Sequence, residues 1–144
     1  MRIKRRLITF FVAVLMMTSV SAVSASAFQA TKYVRASGGS GTNAYVSCIM
    51  TGSYYNTDVS GMAWTKTSSN NNNVFSPNCA YTGYAFVSTL INDIGCGSSS
   101  GNNTSSVTKN FGLEGCSMPA TVKTVHVYSS SVHGYCSTML EAAT

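Results

Sequence analysis

The chain has 144 residues, a formal charge of +5 and only 9% charged residues. Four of its nine basic side chains, Arg2, Lys4, Arg5 and Arg6, stand at the N-terminus, leaving five basic residues against four acidic ones in all that follows. That near-neutral remainder argues against a nucleic-acid partner or an anionic membrane surface, and the length suits a single domain.

The basic head is followed by an apolar run from Leu7 to Met17 and a small-residue stretch from Thr18 to Ala27, the order of a secretory signal peptide. Ala25-Ser26-Ala27 offers small side chains before the scissile bond, with Val20-Ser21-Ala22 as a competing site, so the mature chain is expected to start at Phe28. Thr18 and Ser19 interrupt the apolar core well short of the roughly 20 residues that span a bilayer. The expected organisation is a signal peptide, 1–27, and one secreted, extracellular domain, 28–144, from a bacterial host, with no membrane span after cleavage.

Beyond Phe28 the chain is rich in Ser, Thr, Asn, Gly and Tyr and poor in helix formers. Tyr, Val, Thr and Phe suit a pleated, half-buried surface, so the fold class expected is all-β, a small antiparallel β-sandwich of about six strands. Strands are expected at 44–51, 62–67, 79–91, 104–111, 120–128 and 132–140. Breaker-rich segments separate them, including the asparagine tract after Ser68, which reads as a solvated loop tip. Residues 85–92 are apolar on both strand faces and read as a central strand with a bulge at Gly83. The spacing of Phe86 with Leu90 and of Val87 with Ile91 leaves a short helix as the alternative there.

Alternation assigns faces. Val46, Cys48 and Met50 share one, and so do Val132, Cys136 and Leu140, which points Cys48 and Cys136 inward. In the last hairpin a two-residue turn at Ser129-Ser130 pairs Val127 with Val132 and His126 with His133. Val125 and Val127 are then inside, and His126, Tyr128, His133 and Tyr135 outside. His126 and His133 would be neighbours able to share a metal such as zinc or copper, although no carboxylate stands near to complete a site. Two ordinary surface histidines are the simpler expectation, and no cofactor is expected.

The five cysteines contain no C-x-x-C pair, which removes zinc-ribbon and thioredoxin-type readings. In an exported chain they are expected to pair, unless a poorly oxidising envelope leaves them reduced in the core. The inward faces suggest a Cys48–Cys136 bridge. A hairpin of 85–92 with 104–111 would carry Cys79 to Cys116, leaving Cys96 in Gly95-Cys96-Gly97 as the free thiol.

Catalytic signals are sparse. There is no Gly-x-Ser-x-Gly elbow, His133 and Cys136 fall on opposite faces of a strand, and Asp58, Asp93, Glu114 and Glu141 are a thin supply for hydrolysis by paired carboxylates. Tyr54 and Tyr55 in a polar loop, with the single Trp64, are the candidate ligand-binding residues, because such rings suit sugar faces and protein surfaces. The function expected first is a secreted non-catalytic binding module for a surface, glycan or protein. In composition alone the chain resembles short exported β-sandwich proteins of Gram-positive bacteria, among them lactococcin-type bacteriocins. That resemblance implies a secreted toxin as the second expectation; a small hydrolase is the third.

Overall fold

Val, Thr, Ile and Tyr recur at alternate positions, and the regular structure of the described residues is strands alone. The computed structural model describes residues 25–68 and 81–143. Its strands are β1 (Ser26–Arg35), β2 (Tyr45–Tyr55), β3 (Asp58–Ser68), β4 (Gly83–Ile91), β5 (Ile94–Thr104), β6 (Ser106–Leu113), β7 (Thr121–Ser130) and β8 (Gly134–Ala143). They form two antiparallel four-stranded sheets, ordered β1-β2-β3-β6 and β5-β4-β7-β8. The expected β-sandwich architecture is present, with eight strands in place of six. The N-terminal apolar run, most of the asparagine tract and Cys79 lie outside the described residues. Among those described, no helix is long and apolar enough to cross a membrane.

The two additional strands are β1 and β5. β5 reads Ile-Gly-Cys-Gly-Ser-Ser-Ser-Gly-Asn-Asn-Thr, a composition with little strand preference of its own. It is extended because β4 offers it a ladder that runs from Ile91 opposite Ile94 to Gly83 opposite Thr104, interrupted by register shifts at Thr89/Leu90 and Gly83/Ala85. The reversal is Asn92-Asp93, both left-handed (φ 48° and 63°), as a type I′ hairpin turn requires. The hairpin expected between 85–92 and 104–111 therefore does not form. Residues 106–113 cross to the first sheet and pair with β3, Val107 opposite Thr65. β4 is the expected central strand, flanked by β5 and β7.

The β7–β8 hairpin corrects a second expectation. Ser130 pairs with Gly134, so the loop is three residues, Ser131 to His133, and His126 stands opposite Thr138. An odd loop length inverts the parity of one strand relative to the other. β8 keeps the expected face at Cys136 and Leu140, which are buried, but Val132, expected inside opposite Val127, lies exposed in the loop, and the inversion falls on β7. Val122, Thr124, His126 and Tyr128 point into the core, while Val125 and Val127 point out.

The loop is odd because it is clamped. Ser37 exchanges two backbone hydrogen bonds with Tyr135 (3.2 and 3.0 Å), and the N–H groups of Ser40 and Gly41 donate to Ser131 and Val132 carbonyls at 3.0 and 2.8 Å. Gly134 sits at φ +90°, where an added Cβ would overlap the Ser37 backbone. This clamp joins the segment after β1 to the start of β8, closing one corner of the sandwich. At the exposed β1 edge, Lys32 lies on the inward-facing parity opposite Cys48 yet remains exposed. A charge so placed opposes further strand addition at that edge.

Candidate functional site

Between the sheets lies a polar layer built from Thr65 of β3 and Thr124 and His126 of β7, all at most 1% exposed. Thr65 Oγ1 donates to the Phe86 carbonyl at 3.0 Å, so its lone pairs face His126 Nδ1 at 2.9 Å. Nδ1 must then carry the proton, which leaves Nε2 to accept from Thr124 Oγ1–H at 2.8 Å. Every hydrogen-bonding group of the trio is satisfied with the imidazole neutral. Burial lowers the His126 pKa to about 4.

His133 is elsewhere. It lies in the β7–β8 loop, where Nδ1–H donates to the Thr42 carbonyl at 2.6 Å and the ring packs on Tyr81 with centroids 3.9 Å apart and planes tilted by 37°. The two histidines expected to face each other across a hairpin are thus separated, one inside the core and one at its end. No group of three or more His, Cys, Asp or Glu side chains among the described residues is arranged to hold a metal ion. Tyr128, expected outside with His126, is fully buried, and its hydroxyl donates to the Thr82 carbonyl at 3.2 Å.

The three aromatic residues singled out from sequence do not converge either. The β2–β3 hairpin turns tightly at Asn56-Thr57 with Tyr55 opposite Asp58, so Tyr54 and Tyr55 belong to a strand and alternate. Tyr54 packs on the core. Tyr55 is exposed on the outer face at the hairpin tip. Trp64 is half-buried on the same outer face, directly opposite Ile49, but six residues further along the strand, about 20 Å away at strand rise.

The outer face of the second sheet is the surface that composition did not announce. Its cross-strand rows are Tyr84, Ser129 and Tyr135; Phe86, Val127 and Ser137; Ser88, Val125 and Met139; and Leu90, Lys123 and Glu141. Tyr84, Tyr135 and Met139 are exposed large hydrophobic side chains, and Phe86, Leu90, Val125 and Val127 are half-buried. The outer face of an antiparallel sheet in a soluble sandwich is ordinarily polar. The signal was present in the sequence as apolar residues on both faces of 85–92, but the inverted parity of β7 concealed that Val125 and Val127 join them.

The carboxylates form no enclosed site. Asp58 and Glu114 border an open depression of about 660 Å³ with Val59, Ser60, Gly112 and Leu113. Asp58 Oδ1 is already engaged, accepting the Gly115 N–H at 3.0 Å. Asp93 pairs with Lys123 at 3.0 Å on the surface.

The described cysteines, Cys48, Cys96, Cys116 and Cys136, are all free thiols, so the expected Cys48–Cys136 bridge is not formed in this structure. Both side chains do point into the core, as the strand faces required. Burial, reinforced by the nearby Cys136 charge, pushes Cys48 up to about 12, and burial pushes Cys136 up to about 11, so neither thiol ionises readily. Cys96, expected on a loop, belongs to β5. No protein-family model, curated protein or solved structure matches the chain.

Proposed function

We propose that the chain is a secreted, non-catalytic interaction module whose contact surface is the outer face of the second sheet, and that the partner this face fits is a second copy of the chain. The observation that supports it is the apolar centre of that face, Phe86, Val125, Val127 and Met139, where polar side chains are the rule. Aliphatic side chains offer no hydrogen bonds to sugar hydroxyls, whereas aromatic residues and Met are enriched where proteins meet.

The face is also self-complementary. A two-fold axis in its plane, perpendicular to the strands, lays Val127 on Val125 of the second copy, Tyr84 on Leu90, and the Tyr135 hydroxyl near the Glu141 carboxylate. Three strands spaced about 4.8 Å apart, over four rows, give roughly 400 Å² per copy. The roughly 800 Å² buried in total falls in the range of weak, transient interfaces, so association is expected to be weak and concentration-dependent.

Sedimentation velocity tests the proposal: the wild type should shift from monomer toward dimer with rising concentration, and Val127→Lys should stay monomeric with an unchanged circular dichroism spectrum. A wild type that is monomeric throughout, or a dimer indifferent to Val127→Lys, overturns the self-association. Glycan binding retained by Val127→Lys would move the site elsewhere, and killing of bacterial lawns by purified protein would replace the module with a toxin.

Export belongs to the same proposal. The secreted protein is expected to begin at Phe28, which is half-buried against the core, giving up only the terminal ladder pairs of Ser26 and Ala27. Intact-mass measurement checks this. A start at Val23 would keep all of β1, and retention of residues 1–27 would refute cleavage at either site.

A further inference from the structure

Cys96 is the extra residue of a bulge. Thr89 pairs with Gly97 and Leu90 with Gly95, so Cys96 has no ladder partner, and Gly97 takes φ +97° beside it. Cys96 is half-buried against the hydrophobic core, which also contains Cys48, Cys116 and Cys136. Cys116 reaches that end of the sandwich from the β6–β7 connection. Its N–H donates to the Thr57 carbonyl at 2.7 Å and its thiol to the Leu113 carbonyl at 3.3 Å. The next carbonyl, Ser117, accepts from Asn92 Nδ2 at 2.8 Å. Asn92 opens the turn of the hairpin whose other arm carries Cys96, so the two thiols are held at the same end of the molecule. Burial is the first cause of a raised pKa at Cys96, opposed by a hydrogen bond to the Ile91 backbone, with a smaller raising contribution from the charge of Cys116.

We propose that Cys96 and Cys116 are a dithiol site that closes to an intramolecular disulfide by exchange with an external disulfide, either a small molecule such as oxidised glutathione or the active disulfide of an oxidoreductase. The Cys96 thiolate, on the half-buried and more accessible side chain, attacks one sulfur of the external disulfide and displaces the first thiolate, forming a mixed disulfide. The Cys116 thiolate then attacks Cys96 Sγ and displaces the second. The two protons released by Cys96 and Cys116 go to the two departing thiolates, and two electrons pass to the external disulfide, which is reduced to two thiols. The new bond ties β5, an edge of the second sheet, to the segment leaving β6, an edge of the first. Cys48 and Cys136, in the core, are not substrates of this exchange in the folded protein.

The test is incubation of the purified full chain with oxidised glutathione, alkylation, digestion without reduction and mass spectrometry, a measurement independent of export and of self-association. A Cys96–Cys116 linked peptide is expected, with Cys48 and Cys136 alkylated only after denaturation. Oxidation should raise the melting temperature by about 10 °C, the size expected for closing a loop of this length. Cys116→Ser should instead accumulate the glutathione adduct on Cys96 with no such rise. Cys116 linked to Cys79, or a wild type that stops at the Cys96 adduct, overturns the proposal.

Discussion

Acidification from pH 7 to pH 4 is expected to remove about 3 kcal/mol of folding stability through His126 alone. In the unfolded chain this imidazole takes up a proton near pH 6.5, whereas in the folded chain it resists until about pH 4. Between those values the unfolded state binds more protons, so stability is complete above pH 6.5 and falls as the pH drops toward 4. The origin is the closed hydrogen-bond arrangement: a second ring proton on Nε2 would face the Thr124 hydroxyl, which must then surrender its own donor role. Cys48 and Cys136, the titratable thiols of the same inner layer, are neutral throughout this range and supply no compensating negative charge. The four carboxylates are all exposed, so their titration perturbs stability far less.

Urea unfolding at half-unit pH steps tests this, with His126→Phe as the comparison. The variant should lose about 1–3 kcal/mol at pH 7 by leaving Thr124 without its partner, while its stability falls far less than the wild type's from pH 6.5 to 4. A wild type without that slope, or a variant that retains it, would show that His126 is not the acid-sensitive group.

Gly134→Ala is expected to cost about 3 kcal/mol or more, from backbone strain at positive φ together with the loss of two clamp hydrogen bonds. The added methyl would occupy the space of the Ser37 carbonyl, so Ser37 and Tyr135 would have to part. Gly115→Ala is the control. It too has positive φ (+65°) but nothing within 4 Å of the added atom, and only the conformational preference of about 1 kcal/mol should be lost. Thermal unfolding of both variants separates the two contributions, and equal losses would mean that the clamp does not constrain Gly134.

The burial of Cys48 between Val46 and Met50, and of Cys136 with Leu140, follows from alternation within a single strand, a property that needs no knowledge of neighbours. The all-β class follows in the same way from Tyr, Val and Thr with few helix formers, and the central position of β4 from apolar residues on both its faces. β5 had no such signal, because Gly, Ser and Asn adopt an extended ladder only when a neighbouring strand provides the hydrogen bonds. Its turn, Asn92-Asp93, is a pair tolerant of positive φ, but the sequence pattern places the reversal beyond it, around Gly95-Cys96-Gly97.

The facing of β7 was decided by tertiary contact alone. Composition is compatible with either parity there, since valines and threonines alternate with one another and with His126 and Tyr128. What settled it was the docking of Ser37 to Gly41 on the last hairpin, which holds a three-residue loop in place. One residue more in that loop carried His126 into the core and Val125 and Val127 to the surface, replacing a metal-site expectation with a buried neutral imidazole and an apolar face. The sequence by itself determined the strand-forming character of the chain and the inward direction of two cysteines, because these depend on local preference and period. Register, sheet order and the grouping of Cys96 with Cys116 depend on hydrogen bonds between segments far apart in the chain, and only the tertiary structure decided them.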